Sequence, residues 1–412
     1  METRAMLSAM WRSRTGPILV AAQVAITLAL IVNVAYIINQ RLATISEPTG
    51  MDVDNIFWLR SQAYSPDYNH EPTVRADLAY LNGLPGVVAA STTSMIPQSF
   101  STSVMGFSDD PAKLEKGAGE LAIIYFGSDR FLETLGLKLV AGRTFDPAAV
   151  VRPGADWKEM LGNLGPEVVI TRNLAKKIWP PDGNALGKTL NVGMVNKGAT
   201  IVGIVDQMQH MPISGPASEM FHTIAYFPAL APGPSTAYMV RTQPGRRDAT
   251  MARVEKDMGE MQPGRYIASM EAFSDTVRRM RAGARTSVIT LGVVAVFVAA
   301  VTAVGIVGLA AFTVASRTKQ LGTRRAIGAT KFHILRYFLV ENWLITSIGA
   351  LLGCALALGV GIKLSAIYQM PRLPLLYLLG GVVALWALGL LAVWIPARRA
   401  ASISPAVATR TV

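Results

Sequence analysis

The sequence predicts an α-helical membrane protein that has four transmembrane helices plus a large α/β (α+β) extracytoplasmic domain inserted between helices 1 and 2. Three observations support this fold class. Four apolar runs are each long enough, at about 1.5 Å per residue, to cross about 30 Å of hydrocarbon. A polar block rich in glycine and proline separates the first run from the other three. A short basic segment joins the second run to the third.

The composition points to the same class of protein. Of the 412 residues, 51% are hydrophobic and only 16% are charged, which is a low share of charge for a soluble protein. Much of the formal net charge of +12 flanks the apolar runs, so attraction to a membrane surface explains it and no nucleic-acid partner is expected. The single cysteine, Cys354, excludes an intrachain disulfide, so packing must stabilise the soluble part.

The first predicted element is a cytoplasmic N-terminal helix at 1–16, whose apolar residues lie on one side of the helix. A helix lying flat on the membrane and a merely basic flank to the first span are both open interpretations. Transmembrane helix 1 follows at 17–39, and its apolar run is too long for a cleaved signal peptide. Gln23 and Asn33 lie inside this span and are expected to face other helices rather than lipid.

Residues 40–284 form the predicted extracytoplasmic domain, because glycine, proline, aspartate and asparagine appear there and the apolar runs shorten. Mixed signals for strands and helices predict an α/β or α+β fold. Strands are expected at 168–171, 199–205 and 237–241, helices at 173–179, 249–261 and 271–280, and long loops at 146–165 and 211–234.

The rest of the chain alternates apolar and basic segments. The sequence predicts a stalk and transmembrane helix 2 at 285–315, a cytoplasmic coupling loop at 316–333, transmembrane helix 3 at 334–364, a short outer loop at 365–372, transmembrane helix 4 at 373–396 and a cytoplasmic tail at 397–412. The coupling loop contains several lysines and arginines and no acid, which is typical of a cytoplasmic loop. Four spans then place both termini inside the cell and the large domain outside.

Patterns that suggest chemistry have simpler structural interpretations. The segment from Gly183 to Thr189 resembles a phosphate-binding loop, but its two glycines are one residue too close, so a turn before a strand explains it better. His210 and His222 flank a proline- and glycine-rich loop, and no metal-ligand spacing accompanies them. We find no convincing nucleophile–base pattern. We therefore predict no catalytic site, metal site or cofactor in this chain.

The third span contains polar and small residues of interest. Glu341 is an acid inside the membrane, which is a functional candidate by default. Its position near the inner surface, one turn from Arg336 and Tyr337, favours a structural role in which it pairs or snorkels. Gly349 and Gly353 form a GxxxG pattern, which predicts close packing against another helix.

Several stretches are similar to the MacB/FtsX-type permeases of ABC transporters. Residues 317–330, RTKQLGTRRAIGAT, resemble the run that follows the second span in these families, and 396–405 resemble their P-A-x-x-A-x-x-x-x-P ending. The stretch from Phe131 to Phe145 resembles part of the MacB-like periplasmic core. Gln320 departs from the pattern, because the families usually carry a glutamate there that could form an ion pair.

The resemblance implies a non-catalytic permease subunit in the bacterial inner membrane, which transmits ATP-driven motion for export of a peptide, toxin or drug. Its expected partners are a separate ABC ATPase that holds ATP and Mg²⁺, a second permease copy or paralogue, membrane lipid and, for efflux, a periplasmic adaptor and an outer-membrane channel. The ATPase is expected to dock on six residues of the coupling loop: Gly322, Arg324, Arg325, Ala326, Gly328 and Ala329.

Two other functional classes are weighed against this one. A membrane receptor or scaffold would bind an envelope partner through its periplasmic domain, for lipoprotein handling or cell-wall hydrolase control. It would need a cytoplasmic output, and the predicted loop and tail are short for that role. An extracytoplasmic enzyme tethered by spans would need only one anchor, and no catalytic pattern supports it.

Overall fold

The computed structural model describes residues 15–151, 161–193, 195, 197–213, 216–230, 234–368 and 373–402. The chain divides into a helical unit, Met1–Ala43 with Arg285–Val412, and a sheet domain, Thr44–Ala284. Five predicted segments fall partly or wholly outside the described residues: the N-terminal helix up to residue 14, the first long loop at 152–160, the second at 214–215 and 231–233, the outer loop at 369–372 and the tail from 403.

The described helices are, in chain order, α1 (Thr15–Ser46), α2 (His70–Gly83), α3 (Pro111–Glu115), α4 (Phe131–Leu135), α5 (Arg172–Ile178), α6 (Arg247–Met261), α7 (Phe273–Ser316), α8 (Thr318–Ala326), α9 (Lys331–Tyr368) and α10 (Leu375–Ser402). Helices α1, α7, α9 and α10 are each long and apolar enough to cross a membrane, as the sequence predicts. Several predicted ends differ from the structure. Helix α7 begins at Phe273 rather than at 285, and α9 continues to Tyr368, into the predicted outer loop. Helix α1 continues to Ser46, and α10 continues through Pro396, which membrane helices tolerate when neighbouring groups satisfy the freed carbonyl.

Helix α1 contacts the other long helices through a buried stripe. Val20, Val24, Leu28 and Val32 are buried at four-residue spacing, which places them on one face of the helix. The polar residues of α1 also have partners, as the sequence predicts. Gln23 Nε2 donates to the carbonyl of Val301 in α7 at 3.1 Å, and Asn33 Nδ2 donates to the carbonyl of Ala357 in α9 at 3.3 Å.

The sheet domain is built on eleven strands: β1 (Ile56–Ala63), β2 (Val87–Thr93), β3 (Val104–Ser108), β4 (Glu120–Gly127), β5 (Leu139–Gly142), β6 (Glu167–Thr171), β7 (Thr189–Val192), β8 (Lys197–Val205), β9 (Ile224–Pro228), β10 (Ser235–Thr242) and β11 (Arg265–Ala272). Their order is β11-β1-β10-β2-β4-β3-β7-β8-β6-β9, with β5 paired to β8. Strand β9 also pairs in parallel with β4, so the strands from β4 to β9 in this order close a ring.

Two sequence predictions for the domain need correction. The expected loop at 211–234 contains strand β9, whose five residues are all buried, and the surrounding glycines and prolines hid this short apolar run. The helix expected at 271–280 begins at Phe273, because strand β11 extends to Ala272.

The neighbouring strands β4 and β9 bury both of their faces. Tyr125 and Tyr226 lie in one hydrophobic cluster, whereas Phe126 and Phe227 lie in a second cluster on the opposite face. This arrangement follows from the alternation of side chains along a strand. A strand that is buried on both faces reads as a continuous apolar run without alternating polarity.

A buried ion pair joins helix α2 to strand β11. Arg265 donates through both terminal nitrogens to the carboxylate of Asp77, with Nη2 at 2.8 Å from Oδ1. Tyr238 Oη donates to the same carboxylate at 2.7 Å. Arg265 is 4% exposed and Asp77 is fully buried, so each charge depends on the other for its solvation.

His210 is buried in the aromatic centre of the domain. Its Nδ1 shares a hydrogen bond with the hydroxyl of Tyr125, and its ring stacks on Phe221 at 6.1 Å between centroids. Burial lowers the pKa of His210 from 6.5 to about 4, because the charged imidazolium would lose its hydration there. The histidine is therefore a neutral core residue at pH 7.

We expect Arg265→Met to destabilise the full-length chain by about 3–5 kcal/mol, because it leaves the Asp77 charge buried without its cationic partner. The matched control is Arg253→Met, which removes the exposed ion pair with Asp257 and should cost at most about 1 kcal/mol. Chemical denaturation in detergent measures both changes. Equal losses for the two variants would contradict the assignment of a stabilising buried pair.

The second prediction concerns pH. Because the pKa of His210 is depressed in the folded state, the unfolded chain binds a proton first as the pH falls, so stability is lost between pH 6.5 and about 4. The full loss is about 3 kcal/mol. The His210→Gln variant should lack this component, whereas a His333→Gln control should keep it. If the free energy of unfolding falls equally with pH in the wild type and in His210→Gln, the assignment of this loss to His210 is wrong.

Candidate functional site

The basic segment between α7 and α9 contains a helix, α8, where the sequence predicts only a loop. Leu321 and Gly322 are buried, so one side of α8 is held against the helical unit while the rest is more exposed. Gly328 then adopts a φ of +101°, a backbone conformation that favours glycine, and turns the chain toward α9. Thr330 caps α9, since its Oγ1 accepts from the backbone N–H of His333 at 3.3 Å.

The six residues predicted to bind an ATPase do not all lie on the outer surface. Arg324, Ala326 and Gly328 are exposed, and Arg325 and Ala329 are half-buried. Gly322 is buried beside Leu321 and forms part of the contact that seats α8.

An ion pair ties the start of α8 to the third long helix. Arg317 immediately precedes α8, and its Nη1 donates to both carboxylate oxygens of Glu341 in α9, at 3.1 and 3.4 Å. The same nitrogen lies 3.4 Å from the hydroxyl oxygen of Tyr337. The guanidinium of Arg324 lies over the ring of Tyr337 at 5.4 Å from its centroid. Arg317 and Arg324 therefore both contact α9.

The partner of Glu341 differs from the neighbour that sequence spacing suggested. Arg336 and Glu341 are five positions apart, so they lie about 140° apart around the helix and do not face each other. Glu341 is 7% exposed and pairs with Arg317, whereas Arg336 is exposed. Sequence analysis could not find this contact, because its two residues are 24 positions apart and belong to different elements.

The two glycines of the GxxxG pattern lie against α1. A Cβ on Gly349 would come within 2.7 Å of the carbonyl oxygen of Ala21, and one on Gly353 within 2.8 Å of Leu28 Cβ. Any larger side chain would push the two helices apart.

The patterns set aside during sequence analysis have structural roles in the described residues. The backbone N–H of Gly187 donates to the carbonyl of Ile201 at 2.8 Å, so this turn uses its amide within the sheet. His222 Nε2 lies 3.3 Å from a carboxylate oxygen of Glu47, and His210 is enclosed in the core. Across the described part of the chain, no group of three or more histidine, cysteine, aspartate and glutamate side chains is placed to hold a metal ion.

Comparison with known proteins gives matches along most of the chain. A model of the FtsX-like permease C-terminal region matches residues 292–405, and a model of the MacB-like periplasmic core domain matches 18–257. A solved structure, the periplasmic region of MacB from Actinobacillus actinomycetemcomitans, is 14% identical and covers 57% of this chain and 96% of that one, with a TM-score of 0.33.

Two curated relatives illustrate the level of similarity. The macrolide export ATP-binding/permease protein MacB of Chromobacterium violaceum is 26% identical over 301 residues, which cover 69% of this chain and 42% of that protein. The probable syringafactin export ATP-binding/permease protein SyfD of Pseudomonas syringae pv. tomato is 23% identical over 287 residues, covering 68% and 40%. The chain thus spans about two fifths of the length of these relatives. Since the core-domain model alone covers more than half of it, the chain belongs to the MacB/FtsX-type ABC transporter permeases, membrane proteins with a large extracytoplasmic domain.

Proposed function

We propose that this chain is the non-catalytic membrane subunit of an ABC exporter and converts ATP-driven movement of an ATPase into movement of its extracytoplasmic domain. In this arrangement the segment at 316–333 and both termini face the cytoplasm of a bacterial cell. The sheet domain, which follows α1 and precedes α7 in the sequence, lies in the periplasm. ATP and Mg²⁺ are bound by the ATPase, and a second permease copy or paralogue completes a dimer.

The observation that carries this proposal is the attachment of a short basic helix to a membrane helix. Helix α8 presents exposed polar residues on one side, and Arg317 at its start is fixed to the buried Glu341 of α9. A force applied to α8 therefore acts on a span rather than on a flexible loop. This is the mechanical property that a motor-driven subunit requires.

The chemistry of the segment favours an acidic partner surface. Arg324 is exposed, Arg325 is half-buried, and the segment contains no acidic residue to neutralise them. Ala326 and Gly328 add small side chains that allow close approach of another protein. An acidic groove on an ATPase would match both properties, since complementary charge directs docking and fixes its register.

The names of the relatives suggest the class of cargo. One is a macrolide exporter and another a probable exporter of syringafactin. We accordingly propose export of a peptide, toxin or drug. For efflux across the whole envelope, a periplasmic adaptor and an outer-membrane channel would complete the pathway.

A charge reversal tests the docking surface. We expect Arg324→Glu to weaken ATPase binding about tenfold or more, because an attractive contact becomes repulsive. The control is Lys363→Glu, an exposed cation near the other end of α9. The measurement is the amount of ABC ATPase, and its activity, that co-purifies with the tagged full chain from native membranes. Recovery of no ATPase with the wild type, or equal recovery with both variants, would refute the docking proposal and favour a receptor or scaffold.

Removal of the ion pair between Arg317 and Glu341 tests the mechanical role of α8. Glu341→Gln should speed amide hydrogen exchange across α8 by about ten- to hundredfold, because the ion pair with Arg317 becomes a weaker hydrogen bond to a neutral amide and the helix opens locally more often. Arg336→Gln, an exposed change one to two turns away, should leave exchange in α8 unchanged. If both variants exchange like the wild type, the ion pair does not hold α8 in place.

A further inference from the structure

A cavity of about 450 Å³ lies inside the helical unit among α1, α7, α9 and α10. Sites for small molecules are typically about 300–1,000 Å³ and mostly apolar, with a few polar groups. This cavity fits that description. Its apolar walls include Val20 of α1, Leu309 of α7, Phe338 and Ile345 of α9, and Val393 of α10.

One wall of the cavity carries a buried amide that lacks a partner. Asn342 lines the cavity and is 8% exposed. Its Nδ2 makes no hydrogen bond with any described residue. A buried donor without an acceptor is costly, and because this nitrogen is not accessible from the cavity, the amide has to rotate to donate to a ligand there. Nothing else in the proposed mechanism uses this side chain.

The ion pair beside Asn342 has spare hydrogen-bonding capacity. Arg317 uses only Nη1 for its contacts with Glu341 and Tyr337, and its other N–H groups have no partner in the part of the chain that is described. The carboxylate of Glu341 has about four acceptor positions, and Arg317 donates to it through one nitrogen. The cavity therefore offers a cation and an anion side by side, without net charge.

The mouth of the cavity lies where two spans end. Thr15, the first residue of α1, and Ser316, the last residue of α7, both line the cavity and are exposed, as is Phe312. In a membrane protein the ends of spans lie at the level of the lipid headgroups, and residues further along the spans face the acyl chains. A lipid can thus place its head at the mouth and a chain along the apolar walls.

We propose that this cavity binds a zwitterionic phospholipid whose head carries both a phosphate and a primary ammonium group, as phosphatidylethanolamine does. The phosphate or an ester carbonyl accepts from Asn342 and Arg317, and the ammonium group donates to Glu341. A choline head has the same charges but no N–H donor. A purely anionic head leaves the carboxylate of Glu341 without a cationic partner. The proposal depends on the membrane placement of the spans and not on the ATPase, so its failure leaves the docking proposal standing.

Native mass spectrometry of the full chain tests this proposal. The chain is reconstituted in nanodiscs of equal parts dioleoyl phosphatidylethanolamine and dioleoyl phosphatidylcholine, released, and weighed with its retained lipid. We expect one retained lipid per chain, with ethanolamine favoured over choline by about tenfold, as for one additional hydrogen bond to a charged group.

Two variants locate the retained lipid. Ala310 lines the cavity, so Ala310→Phe should fill it and abolish retention, whereas Ala311→Phe, on an exposed neighbour outside the lining, should retain lipid like the wild type. Glu341→Gln removes the anion that the ammonium group contacts and should lower the ethanolamine preference to about that of choline. Asn342→Leu removes a donor to the phosphate that both lipids carry, so it should keep the fold and lower the retention of both lipids. If Ala310→Phe does not fold, the Glu341→Gln result decides the question.

Three results would overturn the proposal. Equal retention of the two lipids by the wild type would show that the cavity does not distinguish the headgroups. An unchanged lipid preference in Glu341→Gln would place the bound lipid elsewhere. A chain that self-associates and retains no lipid would indicate that a second copy of the chain covers the mouth.

Discussion

Hydrocarbon offers no hydrogen-bond partner, and this constraint governs the helical unit. Each polar side chain inside a span must find its partner in the protein. Thr27 of α1 shares a hydrogen bond of 2.6 Å with Thr302 of α7, and Asn33 reaches a carbonyl of α9. Glu341 accepts a hydrogen bond from Arg317, which lies in the segment that joins α7 to α9. These contacts fix which faces of the helices meet, which apolar packing alone would leave less specific.

Two buried side chains of α9 do not satisfy this requirement. Asn342 and Thr346 are buried, and each has a polar atom without a partner among the described residues. Gly389 of α10 makes room for both, since a Cβ there would lie 3.0 Å from Asn342 Nδ2 and 3.1 Å from Thr346 Oγ1. The unpaired amide and the neighbouring ion pair of Arg317 are the reasons to regard the adjoining space as a binding site rather than a packing defect.

The elements that sequence analysis predicted correctly are those with a long, local signal. Each span is a continuous apolar run, and strands such as β6 and β8 are apolar runs with clear boundaries. Strand β9 was missed because its five residues lie among turn-forming residues, and helix α8 because its nine residues include a glycine and few apolar side chains. The contact of Arg317 with Glu341 depends on tertiary structure, which no spacing rule encodes. The resemblance to a known family pointed to the basic segment at 316–333 as the expected coupling loop, but it could not indicate which of its residues are buried.

Gly328 shows that a position can be intolerant of mutation without contacting a partner protein. Its φ of +101° is strained for any residue with a side chain, so the turn between α8 and α9 requires glycine whether or not a partner touches it. A saturation mutagenesis screen would therefore score this position as intolerant for a reason internal to the chain. Intolerance at Arg324, whose guanidinium is exposed and whose backbone is helical, would carry different information. When mutational data are used to infer an interface on this segment, positions that require glycine for their backbone conformation should therefore be excluded first.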